Sequence, residues 1–486
     1  MHERRQVSFG GRTFAVGLSF CLLSMSPAEV FGQTAPEQAG PQAESPEEEE
    51  AAPAPKPVAE SAPPAKPATE AALAPKPTPE KRLTLELYGD IFPFAEHVWS
   101  TGASAPNFPN GASQVTPQGY TGFNARPRFR MTAGTSNFGL RGVLRLVEQL
   151  TLTYQVESAV PIDGNGPPNT VASRNSHIGF TGAWGTLIYG HWDTPWKWAT
   201  LVTINPLPGG FVPDYTSILS TPGFGVAAIN STSLLQGSIS NAAFYRREPN
   251  SVQYWSPTIA GFSARLNYTF NEARSNPEET VGPGANPYLL SGYLGFDGAG
   301  LRIRYAYELH KDYFGMSQLG GTVGPSDEVT ASTDYGHSLT VQYVLPFPRE
   351  FRTRLVASGE FLSYEQDDIN PEAIDSYSRF AYYGLIEQAL YQHHVWAAYG
   401  MADSGECGRV NGTPCNTKGL RAQVASLGYL FAFNEATMVY FAGYHIINDV
   451  SSNHSTVPIL QPDGPGADVT GLGIGLFFHF GVETGL

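Results

Sequence analysis

LRIRYAYEL, residues 301–309, is the stretch on which the fold turns. Leu301, Ile303, Tyr305, Tyr307 and Leu309 form one row, and Arg302, Arg304, Ala306 and Glu308 form the other. A period of two is the mark of a strand, because successive side chains leave opposite faces of the pleat. Alternation alone does not separate a soluble sandwich from a membrane barrel. The arginines do more: a dry core rejects them, whereas a water-filled lumen accepts them behind a lipid-facing apolar row.

The same texture runs outward in both directions. Leu83, Leu85, Leu87, Gly89 and Ile91 alternate with Thr84, Glu86, Tyr88 and Asp90; Phe262, Ala264, Leu266, Tyr268 and Phe270 alternate with Ser263, Arg265, Asn267 and Thr269. Near the end, Leu472, Ile474, Leu476, Phe478 and Phe480 alternate with Gly473, Gly475, Phe477 and His479. Aromatic residues gather near strand ends at Trp184, Trp192, Tyr254, Trp255 and Phe347, where interfacial girdles sit. Short turns are expected near Val147–Gln149, Gly182–Gly185, Ser256–Gly261, Asp297–Gly300, Pro346–Glu350, Glu387–Leu390 and Phe433–Ala436. They alternate with long connections near 99–121, 160–171, 193–243, 271–286, 310–333, 365–375, 402–417 and 449–467. Seven short and eight long connections imply sixteen strands, so the fold class is all-β, a transmembrane antiparallel barrel. Closure of such a barrel leaves no backbone group unpaired in lipid.

Composition agrees with many short strands: 12% of residues are aromatic, only 15% are charged, and there are 52 glycines and 39 prolines. The net charge of −15 and the lack of a basic stripe exclude a nucleic-acid partner. No Walker-type loop or zinc-ligand spacing is present, and no cofactor or metal is expected. His393 and His394 adjoin in one strand and point to opposite faces, so they do not share one ion. Asn453, His454 and Ser455 lie in a glycine- and proline-containing loop without an oxyanion site, and the chain is not expected to be an enzyme.

Residues 1–32 read as a signal peptide, with Arg4, Arg5 and Arg12 before the apolar run Thr13–Met25. Residues 33–82 are mostly Pro, Ala, Glu and Lys; they cannot bury enough apolar surface to offset their ordering entropy and are expected to be a disordered periplasmic segment. At ~3.1 Å per residue in polyproline form such a segment reaches far enough to contact the cell wall. The barrel is expected over 83–480, with a short C-terminal tail at 481–486. Cys407 and Cys415 suit one disulfide in an oxidising compartment.

Several segments resemble the general porin family of Gram-negative bacteria. LTLELYGDIFPFAEHV (83–98), SNFGLRG (136–142) followed by LTLTYQVES (150–158), SRNSHIGFTGAWGTLIYGHWDTP (173–195) and RREPNSVQYWSPTIAGFSARLNY (246–268) occur in the family's order. The resemblance implies a homotrimer of sixteen-stranded barrels in the bacterial outer membrane, in contact with lipid and lipopolysaccharide, passing small hydrophilic solutes and ions by passive diffusion. It also implies that the third long loop, here 193–243, folds inward to narrow the pore. The chain departs from the family pattern in carrying GVETGL after Phe480.

Selection in such a pore is electrostatic and steric. Strand parity sends Asp90, Asn137, Arg141, Arg145 and Arg247 inward, and the resemblance sets Arg246 or Arg247 in the place of one wall arginine. Asn137 and His191 stand where the family often has arginine, and the loop offers only Asp193 and Asp214 as acids, with Lys197. Asp90, Asn137, Arg141, Arg145, His191, Asp214, Arg246 and Arg247 are therefore the candidate constriction residues, with a weak transverse field. A phosphate-selective channel using Arg302, Arg304, Arg352 and Arg354, a sugar channel with an aromatic track, and a cell-wall anchor through 33–82 are the alternatives.

Overall fold

The computed structural model describes residues 82–101, 127–133, 135–162, 171–204, 218–224, 242–270, 286–319, 329–348, 350–452, 454 and 466–485. The expected signal peptide and, apart from Arg82, the Pro-rich segment lie outside them.

Every strand joins one closed antiparallel sheet. Three staves are interrupted and so count as two strands each: β1 (Leu83–Ile91) with β2 (Phe94–Ser100), β3 (Arg128–Thr132) with β4 (Asn137–Val147), and β15 (His393–Ala402) with β16 (Glu406–Arg409). The others are β5 (Leu150–Ala159), β6 (Ser176–Gly182), β7 (Gly185–Asp193), β8 (Arg247–Trp255), β9 (Phe262–Phe270), β10 (Tyr288–Gly298), β11 (Leu301–Lys311), β12 (Ser332–Val344), β13 (Phe351–Gln366), β14 (Ile374–Leu390), β17 (Ala422–Asn434), β18 (Thr437–Asn448) and β19 (Val469–Gly485). Each stave pairs with the next in sequence, and β19 closes the ring on β1 and β2, giving the sixteen staves expected.

The first interruption has a local cause. Pro93 has no N–H to give the ladder, although its carbonyl still accepts from Leu476 N at 3.0 Å. The freed Phe92 N–H donates to Ser136 Oγ at 2.8 Å, in the break between β3 and β4, so neither gap leaves that amide unpaired.

Two boundaries differ from the sequence reading. Glu387–Leu390 remain paired to the end of β14, and the turn is Tyr391–Gln392, with Tyr391 at φ 51°. The residues after Phe480 do not form a tail: Gly481, Val482 and Gly485 continue β19 opposite Tyr88, Leu87 and Thr84.

The apolar row of each strand faces outward. Leu87, Phe138, Leu266, Leu294, Leu339 and Phe441 are exposed on the barrel exterior, as a lipid-facing belt requires. Trp184 and Tyr254 stack outside at the short-turn end, 6.3 Å between centroids, and exposed Phe347 packs on Phe351, as girdle residues would. Trp192 and Trp255 do not join that girdle: they pack on each other and on His177 inside the barrel, because both share the inward parity of Gln253 and Gly190.

The inner face divides into two halves. On β1, β4–β13 and part of β14 it is polar and charged, but on β15–β19 it carries buried Trp396, Leu430, Tyr440, Tyr444 and Ile446. The aromatic rings there lie flat over glycines. A Cβ on Gly428 would fall within the ring of Trp396, and one on Gly475 would strike Tyr440, so glycine at these positions lets a large ring hug the wall.

Candidate pore constriction

The connection after β7 begins with a helix that the strand pattern does not announce, α1 (Pro195–Ile204). Its start is written in TPWK: Pro195 is suited to a first helical position, and the Thr194 carbonyl and hydroxyl accept from Trp198 N at 3.0 Å and Lys197 N at 3.4 Å. This loop turns into the lumen and docks on the inner face of β10–β14. Trp196 N donates to Ser291 Oγ at 3.2 Å and Trp196 Nε1 to Ser220 Oγ at 3.0 Å. Ser220 N donates to Glu360 Oε2 at 2.5 Å, Arg379 Nη2 to the Ile218 carbonyl at 2.8 Å, and Tyr364 OH to the Ala242 carbonyl at 2.6 Å. Gly336 makes room for the fully buried Trp196 ring.

Across the lumen, the wall from β19 through β1 to β8 carries a chain of paired charges. Asp90 accepts from His479 Nδ1 at 2.7 Å and Asn137 Nδ2 at 3.3 Å. Arg141 holds Glu86 through two bonds of 2.6 and 2.9 Å, and its guanidinium lies 4.5 Å above the Tyr88 ring. Tyr88 OH donates to Glu157 Oε2 at 2.9 Å, and Arg174 Nε to Glu157 Oε1 at 2.6 Å. Next to Arg174, Asn175 donates to Asp193 Oδ2 at 2.8 Å and accepts from Arg247 Nε at 2.7 Å. Asp193 ends the chain, with Lys197 Nζ at 2.8 Å and Arg247 Nε at 3.0 Å. Lys197 belongs to the inward loop; burial pushes its ammonium down to about 8, against the pull of Asp193.

The candidate residues from the sequence separate accordingly. Asp90, Asn137, Arg141 and Arg247 belong to the wall chain. Arg145 shares the parity of Arg141 but lies beside the short turn, its backbone N–H bonded to the Arg82 carbonyl at 2.9 Å. Arg246 turns away from the chain, paired with Glu248 at 2.5 Å and stacked 4.9 Å over Tyr313. His191 shares the row of the outward Leu187 and Tyr189 rather than the inward row expected of it, and its Nδ1 lies 3.4 Å from the Ala172 carbonyl. Asp214 lies outside the described residues. Glu86, Glu157 and Arg174 were missed, although strand parity already put Glu86 on the inner row; sequence alone does not say which cation each carboxylate meets. Cys407 and Cys415 come within disulfide reach, their Cα atoms 5.4 Å apart.

A family model described as Gram-negative porin matches residues 61–451. Among solved structures, the chain is similar to an anion-selective porin from Comamonas acidovorans, with 16% identity over 82% of this chain and 100% of that one, at a TM-score of 0.57. It is also similar to outer-membrane-expressed OmpT of Vibrio cholerae, with 13% identity over 83% of this chain and 99% of that one, at a TM-score of 0.50. No curated protein sequence matches it. The closed sixteen-stave barrel, its inward loop and the family match lead to one conclusion: the chain belongs to the Gram-negative porin family and is an outer-membrane channel for passive diffusion.

Proposed function

We propose that solutes are sorted between the inward loop and the wall of β1–β8, and that sorting is by size much more than by sign of charge. One observation carries this reading: along that wall Glu86, Glu157, Asp90 and Asp193 meet Arg141, Arg174 and Arg247 and the Lys197 ammonium of the inward loop, so carboxylates and cations balance at neutral pH. Paired charges a few ångströms apart cancel at the distances over which a hydrated ion feels the wall. A transverse field would need the two signs on opposite sides of the opening, and here both lie on one side.

Three copies of the chain assemble in this reading, with the apolar exterior against lipid and the long loops toward lipopolysaccharide. The test of the selectivity reading is the reversal potential of the purified channel in a tenfold KCl gradient. It should stay far below the ideal single-ion limit of about 59 mV in either direction; a value near that limit would overturn the balanced-wall reading. Cross-linking in detergent, resolved by mass, tests the trimer.

A further inference from the structure

The inner face is not balanced everywhere. At the short-turn ends of β9, β11 and β13, five arginines fall within the first four residues of their strands: Arg265, Arg302, Arg304, Arg352 and Arg354. The registers bring them into one band, because Arg302 faces Gln342 of β12, Arg354 faces Glu387 of β14, and Arg304 lies opposite Gly295 of β10.

Among the described residues, the inner face of this band offers two carboxylates, and each is shared. Asp297 takes Arg302 at 2.6 Å and Arg304 at 2.5 Å; Glu387 takes Arg354 at 2.6 Å, Arg352 at 3.8 Å and His394 at 2.9 Å. Glu350, in the adjoining turn, is exposed. Arg265 meets no carboxylate: its guanidinium is held 4.0 Å from the Trp198 ring and 4.3 Å from the Trp255 ring. The Nε of Arg304 is buried without a hydrogen-bond partner. Arg352 remains about one-third exposed, so the band is open to the mouth of the lumen.

We propose that this band is a binding site for small multivalent oxyanions at the short-turn, periplasmic mouth of the channel. Guanidinium groups present fixed forks that match oxyanion geometry, and here they outnumber the carboxylates that neutralise them. The site rests on the channel reading only in that solutes pass this mouth; it is separate from the balanced wall.

The probe is inorganic phosphate, added to the full-length channel in a planar bilayer at low KCl, with potassium gluconate matched in ionic strength as control. Phosphate should lower single-channel chloride current saturably, whereas gluconate should not. The variants are R302Q, R352Q and their combination; Asp297 and Glu387 keep Arg304 and Arg354, so no carboxylate is stranded. The half-blocking phosphate concentration should rise about tenfold for each arginine, the scale of one charge-assisted hydrogen bond. Phosphate acting no differently from gluconate on the wild-type channel, or equally on wild type and R352Q, would overturn the proposal. Either result leaves the reversal-potential test of the balanced wall standing on its own.

Discussion

Asp193→Asn isolates the joint between the inward loop and the wall. The substitution keeps size and shape, and it keeps an oxygen able to accept from Asn175, so it opens no cavity. It removes the negative charge that Lys197 and Arg247 approach at 2.8 and 3.0 Å. At an effective dielectric of about 20, each attraction is ~6 kcal/mol before desolvation is counted. Desolvation offsets much of that sum, and stranding one side of a buried pair typically destabilises by ~3–5 kcal/mol. The loss has two signatures. The loop anchor weakens, which lowers the temperature at which the folded barrel converts to the slow-migrating unfolded form on electrophoresis. The wall also gains one net positive charge, which moves the reversal potential toward anion preference. An Asp193→Asn channel with unchanged conversion temperature and unchanged reversal potential would refute the reasoning.

Other outcomes follow from the same geometry. Lys197, held down to about 8, gives up its proton as pH rises through that value, so the wall goes from balanced to one net negative charge; cation preference should grow between pH 7 and 9, and Lys197→Met should abolish the shift. Gly428→Val should force the Trp396 ring off the wall, destabilise the barrel by about 1–3 kcal/mol and alter tryptophan emission, while Gly359→Val, where a Cβ meets nothing within 4 Å, should do neither. Reducing Cys407 and Cys415 should make the surrounding outer loop a substrate for trypsin at Arg409 or Lys418 and leave conductance unchanged, as read by mass spectrometry and bilayer recording. Asp367 accepts from the Ala331 and Thr330 amides at 2.6 and 2.9 Å; burial opposes its charge, but these bonds outweigh it and hold the carboxyl below its ordinary 3.8. Its clasp between two outer loops is therefore complete above 3.8 and released as pH falls below the lowered value, which hydrogen exchange at Thr330 and Ala331 reports.

The barrel was legible because a membrane makes the code simple. Leu301 to Leu309 alternate since one face meets lipid and the other the lumen, and no tertiary context can override that parity without exposing arginine to hydrocarbon. The apolar inner face of β15–β19 was not legible. Trp396 and Tyr440 look like lipid-facing residues until the glycines beneath them, on neighbouring strands, are known from the register. The same holds for Trp192 and Trp255, which suit a girdle until the packing of β6–β8 shows them against His177 and each other. In the candidate site, parity identified Asp90, Asn137 and Arg141 as inward, but pairing is a property of adjacent strands: Glu86 cancels Arg141 only because β1 and β4 set them directly opposite. Helix α1 was signalled by Thr194 and Pro195, a cue easily passed over in a run of strands.

Passive diffusion requires the lumen to be an open aqueous path despite its inward loop and apolar half-wall. Single-channel recording of the purified, refolded protein in a planar bilayer tests this most directly. Discrete, ohmic conductance steps that scale with bulk KCl conductivity are the predicted result; a folded, membrane-inserted protein that passes no current would contradict it.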